Sequence, residues 1–128
     1  MLAIDTDVLV RLIARDDGGQ AAAAEKFVSG GGWVSHLVLV ETIWVLDSVY
    51  ELDAKRIALA VEMLLSHADL VIQDPETVAG ALDQFRQKPA LGFSDCLILE
   101  VARRAGHTPM GTFDRALAKL KAAQLIPG

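Results

Sequence analysis

Residues 2–15, LAIDTDVLVRLIAR, decide the type of fold, because a short apolar run ends in acidic residues and a helical pattern follows at once. Residues 2–5 predict a strand. Residues 7–15 predict a short helix, with Asp7 as a candidate N-cap. Short apolar runs and longer helical segments alternate in this way along the whole chain. Strands separated by helices favour a mostly parallel sheet that is covered on both faces.

The remaining elements extend this pattern. Further strands are predicted at 33–35, 70–72, 110–112 and 125–126. Further helices are predicted at 21–29, 36–50, 53–67, 74–87, 94–105 and 115–122. We therefore predict an α/β fold, a three-layer α/β/α sandwich with a central, mostly parallel sheet of four to five short strands. The length of 128 residues, without an internal repeat or linker, predicts a single domain over residues 1–128.

The composition argues against several classes of protein. Hydrophobic residues make up 52% of the chain, which suits a packed core, while the most apolar stretch, 33–46, is too short and too interrupted to span a membrane. The single cysteine, Cys96, cannot form an internal disulfide. Without a visible export signal, the expected location is cytoplasmic. A net charge of −5 argues against a generally basic nucleic-acid coat but allows local basic clusters.

Four acidic residues follow strands or interrupt apolar runs, and these four candidate acids are Asp5, Glu41, Asp95 and Asp114. A buried carboxylate without a partner is costly, so four such groups in one protein suggest a shared counter-charge. Hard divalent cations take oxygen ligands, and the set therefore predicts a metal site. Ligands of parallel sheets gather at the carboxyl ends of strands, which is where Asp5 and Asp114 fall.

Most of these acids, taken alone, have a simpler interpretation. Asp114 precedes a helical pattern and is a normal N-cap, and Asp5 is equally well a turn residue. Glu41 and Asp95 are harder to explain in this way, because apolar residues stand at helical spacings from both. No cysteine and histidine spacing typical of zinc is present.

Four short motifs in this order resemble those of the PIN-domain nucleases, most closely the VapC-type toxins of toxin–antitoxin pairs. They are residues 4–10 (IDTDVLV), 41–42 (ET), 93–95 (FSD) and 112–114 (TFD), and the resemblance covers nearly the whole chain. It implies that the four candidate acids are catalytic and bind Mg²⁺ or Mn²⁺. Three neighbours would support them without being principal ligands, namely Asp7, Ser94 and Thr112. Two positions depart from the family pattern: Asp7 stands where Asn is common, and Gly92 where many relatives carry Asp.

The resemblance also implies a function and partners. The expected activity is that of a metal-dependent endoribonuclease which hydrolyses RNA phosphodiester bonds and serves as the toxin of a toxin–antitoxin pair. The expected partners are an RNA substrate, a second copy of the chain in a homodimer, and a small cognate antitoxin. The hairpin at 36–67 carries Trp44, Tyr50, Met63 and Leu64, which either line a groove for an antitoxin helix or fill the domain's own core.

Two alternatives remain open. Residues 5–7 (DTD) after an apolar strand also resemble the aspartate-nucleophile signature of HAD-type phosphatases, with Asp5 as the nucleophile. Only Asp114 is then available at a later strand, and the chain is short for that fold. The other alternative is a PIN-like module that binds RNA or protein without cleavage. Trapping of a phosphoaspartyl analogue would favour the first, and metal binding without turnover the second.

Overall fold

In the computed structural model, residues 1–128 fold into two compact units, Met1–Pro75 and Glu76–Gly128. The first unit contains β1 (Leu2–Ala3), α1 (Thr6–Ala14), α2 (Gly18–Val28), β2 (Gly32–Val34), α3 (His36–Ser48), α4 (Ala54–Ser66) and β3 (Leu70–Ile72). Helix α5 (Pro75–Gln87) begins at the boundary. The second unit continues with α6 (Phe93–Arg104), β4 (Met110–Thr112) and β5 (Ala123–Leu125), with 3₁₀ turns at Pro89–Leu91 and Leu117–Lys119.

The first unit is built on a parallel sheet with the strand order β1-β2-β3. Helix α1 packs against α2 and α3, and α4 packs against β3. Side-chain caps define where two of its helices begin: Ser35 Oγ accepts from the Val38 amide at 3.1 Å, and Asp53 Oδ1 accepts from the Arg56 amide at 2.9 Å. Its fully buried side chains are those of Leu9, Val28, Val34, Leu39, Thr42, Leu46, Val61 and Leu64.

The second unit holds β4 and β5, which pair in parallel with Met110 opposite Ala123. Helix α6 packs against β4 and against the 3₁₀ turn Pro89–Leu91. The ring of Phe93, at the start of α6, meets the ring of Phe85 on α5 edge-on, with centroids 6.0 Å apart. This contact ties the beginning of α6 to the core of the unit.

The predicted fold class is confirmed, since the chain has six helices and five short strands that all pair in parallel, as expected of a three-layer α/β/α fold. The strands hydrogen-bond in one group of three and one group of two. The single domain over residues 1–128 stays a prediction. None of the helices combines the length and apolar character that a membrane crossing requires.

The predicted last helix, 115–122, is wrong. Only the 3₁₀ turn Leu117–Lys119 forms there, and the chain is extended again at Leu120. A helix of two turns is marginal unless it buries an apolar face, and Leu117 is the one residue of this segment that is buried. The predicted cap on Asp7 is also wrong: the N-cap of α1 is Asp5, whose Oδ1 accepts from the Thr6 amide at 2.7 Å.

Candidate acidic site

Two of the four candidate acids form an interacting pair in the second unit. Asp95 lies in the first turn of α6 and is half-buried. Its pKa is raised above the usual value, first because burial disfavours the charged form and second because the Asp114 carboxylate is close by. The two like charges therefore repel each other, and a cation between them would relieve that repulsion.

Hydrogen bonds with neighbouring residues of the same segment hold Asp114 in place. Its Oδ1 accepts from the Ala116 amide at 2.9 Å and from the Leu117 amide at 3.2 Å. The Asp114 amide in turn donates to Thr112 Oγ1 at 3.0 Å, so Thr112 fixes the backbone that carries this carboxylate. Asp114 thus caps the turn before Leu117–Lys119 rather than a helix, and both hydrogen bonds use the same oxygen, Oδ1. The cap interpretation therefore leaves Oδ2 available for a ligand.

The entry to α6 depends on Gly92. This residue has φ 82° and ψ 143°, a backbone conformation that is open almost only to glycine. Its carbonyl accepts from the Cys96 amide at 3.3 Å, the first hydrogen bond of the helix. Ser94 and Asp95 follow in the first turn, both half-buried. The turn at Gly92 therefore sets the direction in which α6 carries Asp95.

The other two candidate acids belong to the first unit. Asp5 ends the stretch after β1, caps α1 and is exposed. Asp7 follows in the first turn of α1 and is also exposed, where a negative charge is favoured by the helix dipole. Glu41 lies in the second turn of α3. Helices α1 and α3 pack against each other, so Asp5, at the start of α1, and Glu41, on α3, belong to neighbouring helices.

The expectation that Glu41 is buried is wrong. Glu41 is exposed, and of the four apolar residues that suggested burial, Leu37 and Trp44 are 83% and 64% exposed while Val38 and Val45 are half-buried. The buried residue is its neighbour Thr42, whose hydroxyl has no hydrogen-bond partner. Asp5 and Asp114 are likewise exposed, so Asp95 is the one candidate acid with partial burial. The argument that a buried carboxylate needs a counter-charge therefore applies to Asp95 alone.

Neither unit contains within itself a group of three or more His, Cys, Asp or Glu side chains that could hold a metal ion. The structure does bring Asp95 and Asp114 together. Carboxylate pairs of this kind suit Mg²⁺ or Mn²⁺, which prefer oxygen ligands. The donor chemistry of the pair thus fits a divalent ion. The complete set of four ligands stays a prediction.

Comparison with known protein families matches the PIN domain over residues 2–123. The chain belongs to the PIN-domain family. The matched residues include all four motifs and therefore both Asp95 and Asp114. This favours a PIN domain over a HAD-type phosphatase. PIN domains are generally nucleases, and they typically use divalent metal ions such as Mg²⁺. No curated protein is similar enough to the chain to count as a match.

Sequence reasoning missed a second group of interacting side chains in this PIN domain, around Glu100 on α6. Arg103 Nε donates a hydrogen bond to Glu100 Oε1, and Arg104 Nε lies 3.7 Å from Glu100 Oε2. The Glu100 side chain is only 12% exposed. The spacing of a glutamate three and four residues before two arginines was a visible signal of this pairing. Its position beside a pocket was not visible, because that depends on how α5 and α6 pack.

Proposed function

We propose that this PIN domain hydrolyses RNA phosphodiester bonds with the help of Mg²⁺ or Mn²⁺. The observation that carries the proposal is the repulsion between Asp95 and Asp114, in a chain whose family consists generally of nucleases. The proposed ligands are Asp5, Glu41, Asp95 and Asp114. The family motifs support Asp5 and Glu41, and the raised pKa of Asp95 supports the other two.

The proposed roles follow from how each side chain is held. Asp95 binds the ion through a carboxylate whose charged form is otherwise disfavoured. Asp114 presents Oδ2 while Oδ1 stays on the Ala116 and Leu117 amides, so it contributes a ligand or orients the attacking water. The Thr112 hydroxyl accepts a hydrogen bond from the Asp114 amide and so fixes the backbone position of Asp114. A divalent ion, when bound, lowers the pKa of a coordinated water and stabilises the charge on the leaving oxygen.

The direct test is incubation of the purified protein with single-stranded RNAs of mixed sequence. Cleavage is expected with Mg²⁺ or Mn²⁺ and is expected to stop when a chelator is added. Metal binding by calorimetry without cleavage of any RNA would instead support a binding module. A beryllium fluoride adduct on Asp5 would support a phosphatase.

We further propose that the chain is the toxin of a toxin–antitoxin pair, that it forms a homodimer and that it works in the cytoplasm. An exposed apolar surface supports a protein partner. Trp44 on α3 is 64% exposed and Met63 on α4 is 36% exposed. The other two residues of the expected groove have different roles: Leu64 is buried in the core, and Tyr50 donates to Asp16 Oδ2 at 2.9 Å. The partner surface is thus narrower than the sequence suggested.

Replacing Trp44 by Ala is expected to weaken binding of the cognate antitoxin by about 2 kcal/mol or more, because exposed tryptophans often dominate interfaces. The thermal stability and the RNA cleavage rate are expected to stay close to wild type, since the side chain lies outside the core. Calorimetric titration of the antitoxin into both proteins measures the effect. Phe27→Ala, which removes an aromatic side chain that is 47% exposed on α2, is the matched control. Equal antitoxin affinity of Trp44→Ala and wild type would place the partner elsewhere.

A further inference from the structure

The second unit contains a pocket of about 300 Å³ between α5, α6 and the segment 120–122. Its apolar lining includes Leu99 and Leu120. Gln84, Glu100, Arg103 and Lys121 contribute the polar groups. This volume lies at the lower end of the range for small-molecule sites. The mixture of apolar walls and several hydrogen-bonding groups suits a flat heteroaromatic ring better than a bare phosphate.

The carboxylate of Glu100 gives the pocket its chemical selectivity. Arg103 and Arg104 lower the pKa of Glu100, chiefly through the hydrogen bond from Arg103. The group therefore stays ionised at neutral pH and can only accept hydrogen bonds. A ligand that offers N–H donors would satisfy its remaining lone pairs.

The pocket depends on Gly80, which faces Glu100 from α5. A Cβ atom at this position would lie 2.2 Å from Glu100 Oε2, too close for any side chain while Glu100 stays in place. Glycine inside a helix is less favourable than alanine. The close approach of the Glu100 carboxylate explains why this interior position of α5 has no side chain.

The charge distribution favours nucleic acid at this surface. The chain carries a net charge of −5, yet the second unit, residues 76–128, contains seven arginines and lysines against five acids. Two of these basic residues, Arg103 and Lys121, line the pocket. Glu100 follows Asp95 by five residues on α6, a rise of about 7.5 Å along the helix axis. The two side chains also point about 140° apart around the helix, so only a base beside the cleaved bond, and not the nucleotide at it, could enter the pocket.

We propose that this pocket receives a base of the RNA strand beside the cleavage position and selects bases that carry an exocyclic amino group over uracil. The proposal rests on the RNA-cleaving function proposed above. The amino group of adenine, cytosine or guanine donates to Glu100, and the Gln84 amide contacts an adjacent edge of the ring. Leu99 and Leu120 cover the faces of the ring, while Lys121 contacts the phosphate. Uracil offers one ring N–H between two carbonyl oxygens, which the carboxylate repels.

Binding can be tested without any cleavage by titrating the ¹⁵N-labelled protein with the four nucleoside 5′-monophosphates and with ribose 5-phosphate. The backbone amides of Leu120, Lys121 and Ala122 report on the pocket. At least one of the amino-bearing nucleotides is expected to bind about tenfold more tightly than UMP or ribose 5-phosphate. Glu100→Gln is expected to remove this preference, Gln84→Leu is expected to weaken it, and Gly80→Ala is expected to block the pocket. Gln87→Leu, an exposed position on the same helix, is the matched control and should bind like wild type.

The outcomes separate this proposal from the proposed function. Ribose 5-phosphate binding as tightly as the nucleotides would mean a phosphate site and would overturn the base pocket. Absence of shifts at residues 120–122, or an unchanged preference in both Glu100→Gln and Gly80→Ala, would overturn it as well. Nucleotide selectivity without RNA cleavage by the wild type would leave the pocket in place and refute the nuclease instead.

Discussion

Replacing Asp95 by Asn is expected to lower the rate of RNA cleavage by more than about a hundredfold, since even residues that only orient metal ligands cost ten- to hundredfold when they are changed. Asp95 is the half-buried candidate acid, and the nearby Asp114 carboxylate contributes to raising its pKa. Asn keeps the shape of the side chain and removes the charge that would hold a cation. Initial rates on a fluorescent single-stranded RNA, at saturating Mg²⁺ and at saturating Mn²⁺, measure the loss.

The control for this variant is Asp83→Asn, which neutralises an exposed acid on α5 in the same unit. Asp83→Asn is expected to cleave at the wild-type rate, and circular dichroism of both variants is expected to match wild type. Wild-type cleavage by a folded Asp95→Asn protein would remove Asp95 from the site. An equal loss in Asp83→Asn would point to a general effect of charge on RNA binding.

Mn²⁺ is expected to stabilise the wild type by roughly 2.7 kcal/mol when its concentration is a hundred times the dissociation constant, because it binds only the folded protein. The stabilisation is expected to be smaller in Asp95→Asn and in Asp114→Asn, since each lacks one of the repelling carboxylates. Thermal melting with chelator and with Mn²⁺ measures it. A shift of the melting temperature that is the same in all three proteins would show that the ion binds elsewhere.

Two further measurements test whether Asp114 is more than a cap and whether Asp95 carries an unfavourable charge. Asp114→Ala loses the hydrogen bonds to the Ala116 and Leu117 amides and should cost about 1 kcal/mol without metal and more with Mn²⁺, whereas Asn still caps. An equal cost with chelator and with Mn²⁺ would make Asp114 a cap and remove it from the site. The pKa of Asp95 is raised above 3.8, so the folded state holds that proton more tightly than the unfolded chain. The stability of the metal-free wild type therefore falls as the pH rises from about 3.8 through the folded pKa. Metal-free Asp95→Asn is expected to melt at or above wild type at pH 7, with the gap closing toward pH 4.

The sequence predicted those elements whose ends carry local chemical signals. Ser35 and Asp53 accept hydrogen bonds from amides in the first turns of α3 and α4, so α3 begins at the predicted residue and α4 one residue after it. Gly106, with φ 85°, follows the end of α6 as a glycine after a helix commonly does. The strand Leu70–Ile72 was also predicted correctly, because a buried run between two helices leaves few other choices.

What the sequence could not predict depends on packing. Glu41 was expected in an apolar environment, but helical spacing does not show whether an apolar face is covered, and Leu37 and Trp44 lie at the surface. The Glu100 pocket was missed for a similar reason, since it exists only where Gly80 of α5 lets that carboxylate approach. The family motifs identified the candidate acids. The coupling between Asp95 and Asp114 became apparent only from the structure.

Gly92 limits how this chain can evolve toward its relatives. The family resemblance leads us to expect an aspartate at this position, and a Gly92→Asp change would supply this fifth carboxylate. At φ 82° and ψ 143°, however, any residue with a Cβ atom costs about 1–3 kcal/mol of backbone strain, a large share of the stability of a small protein. The turn before α6 would first have to change its backbone conformation. The backbone at Gly92 thus separates this chain from relatives with a fifth acid by more than a single mutation.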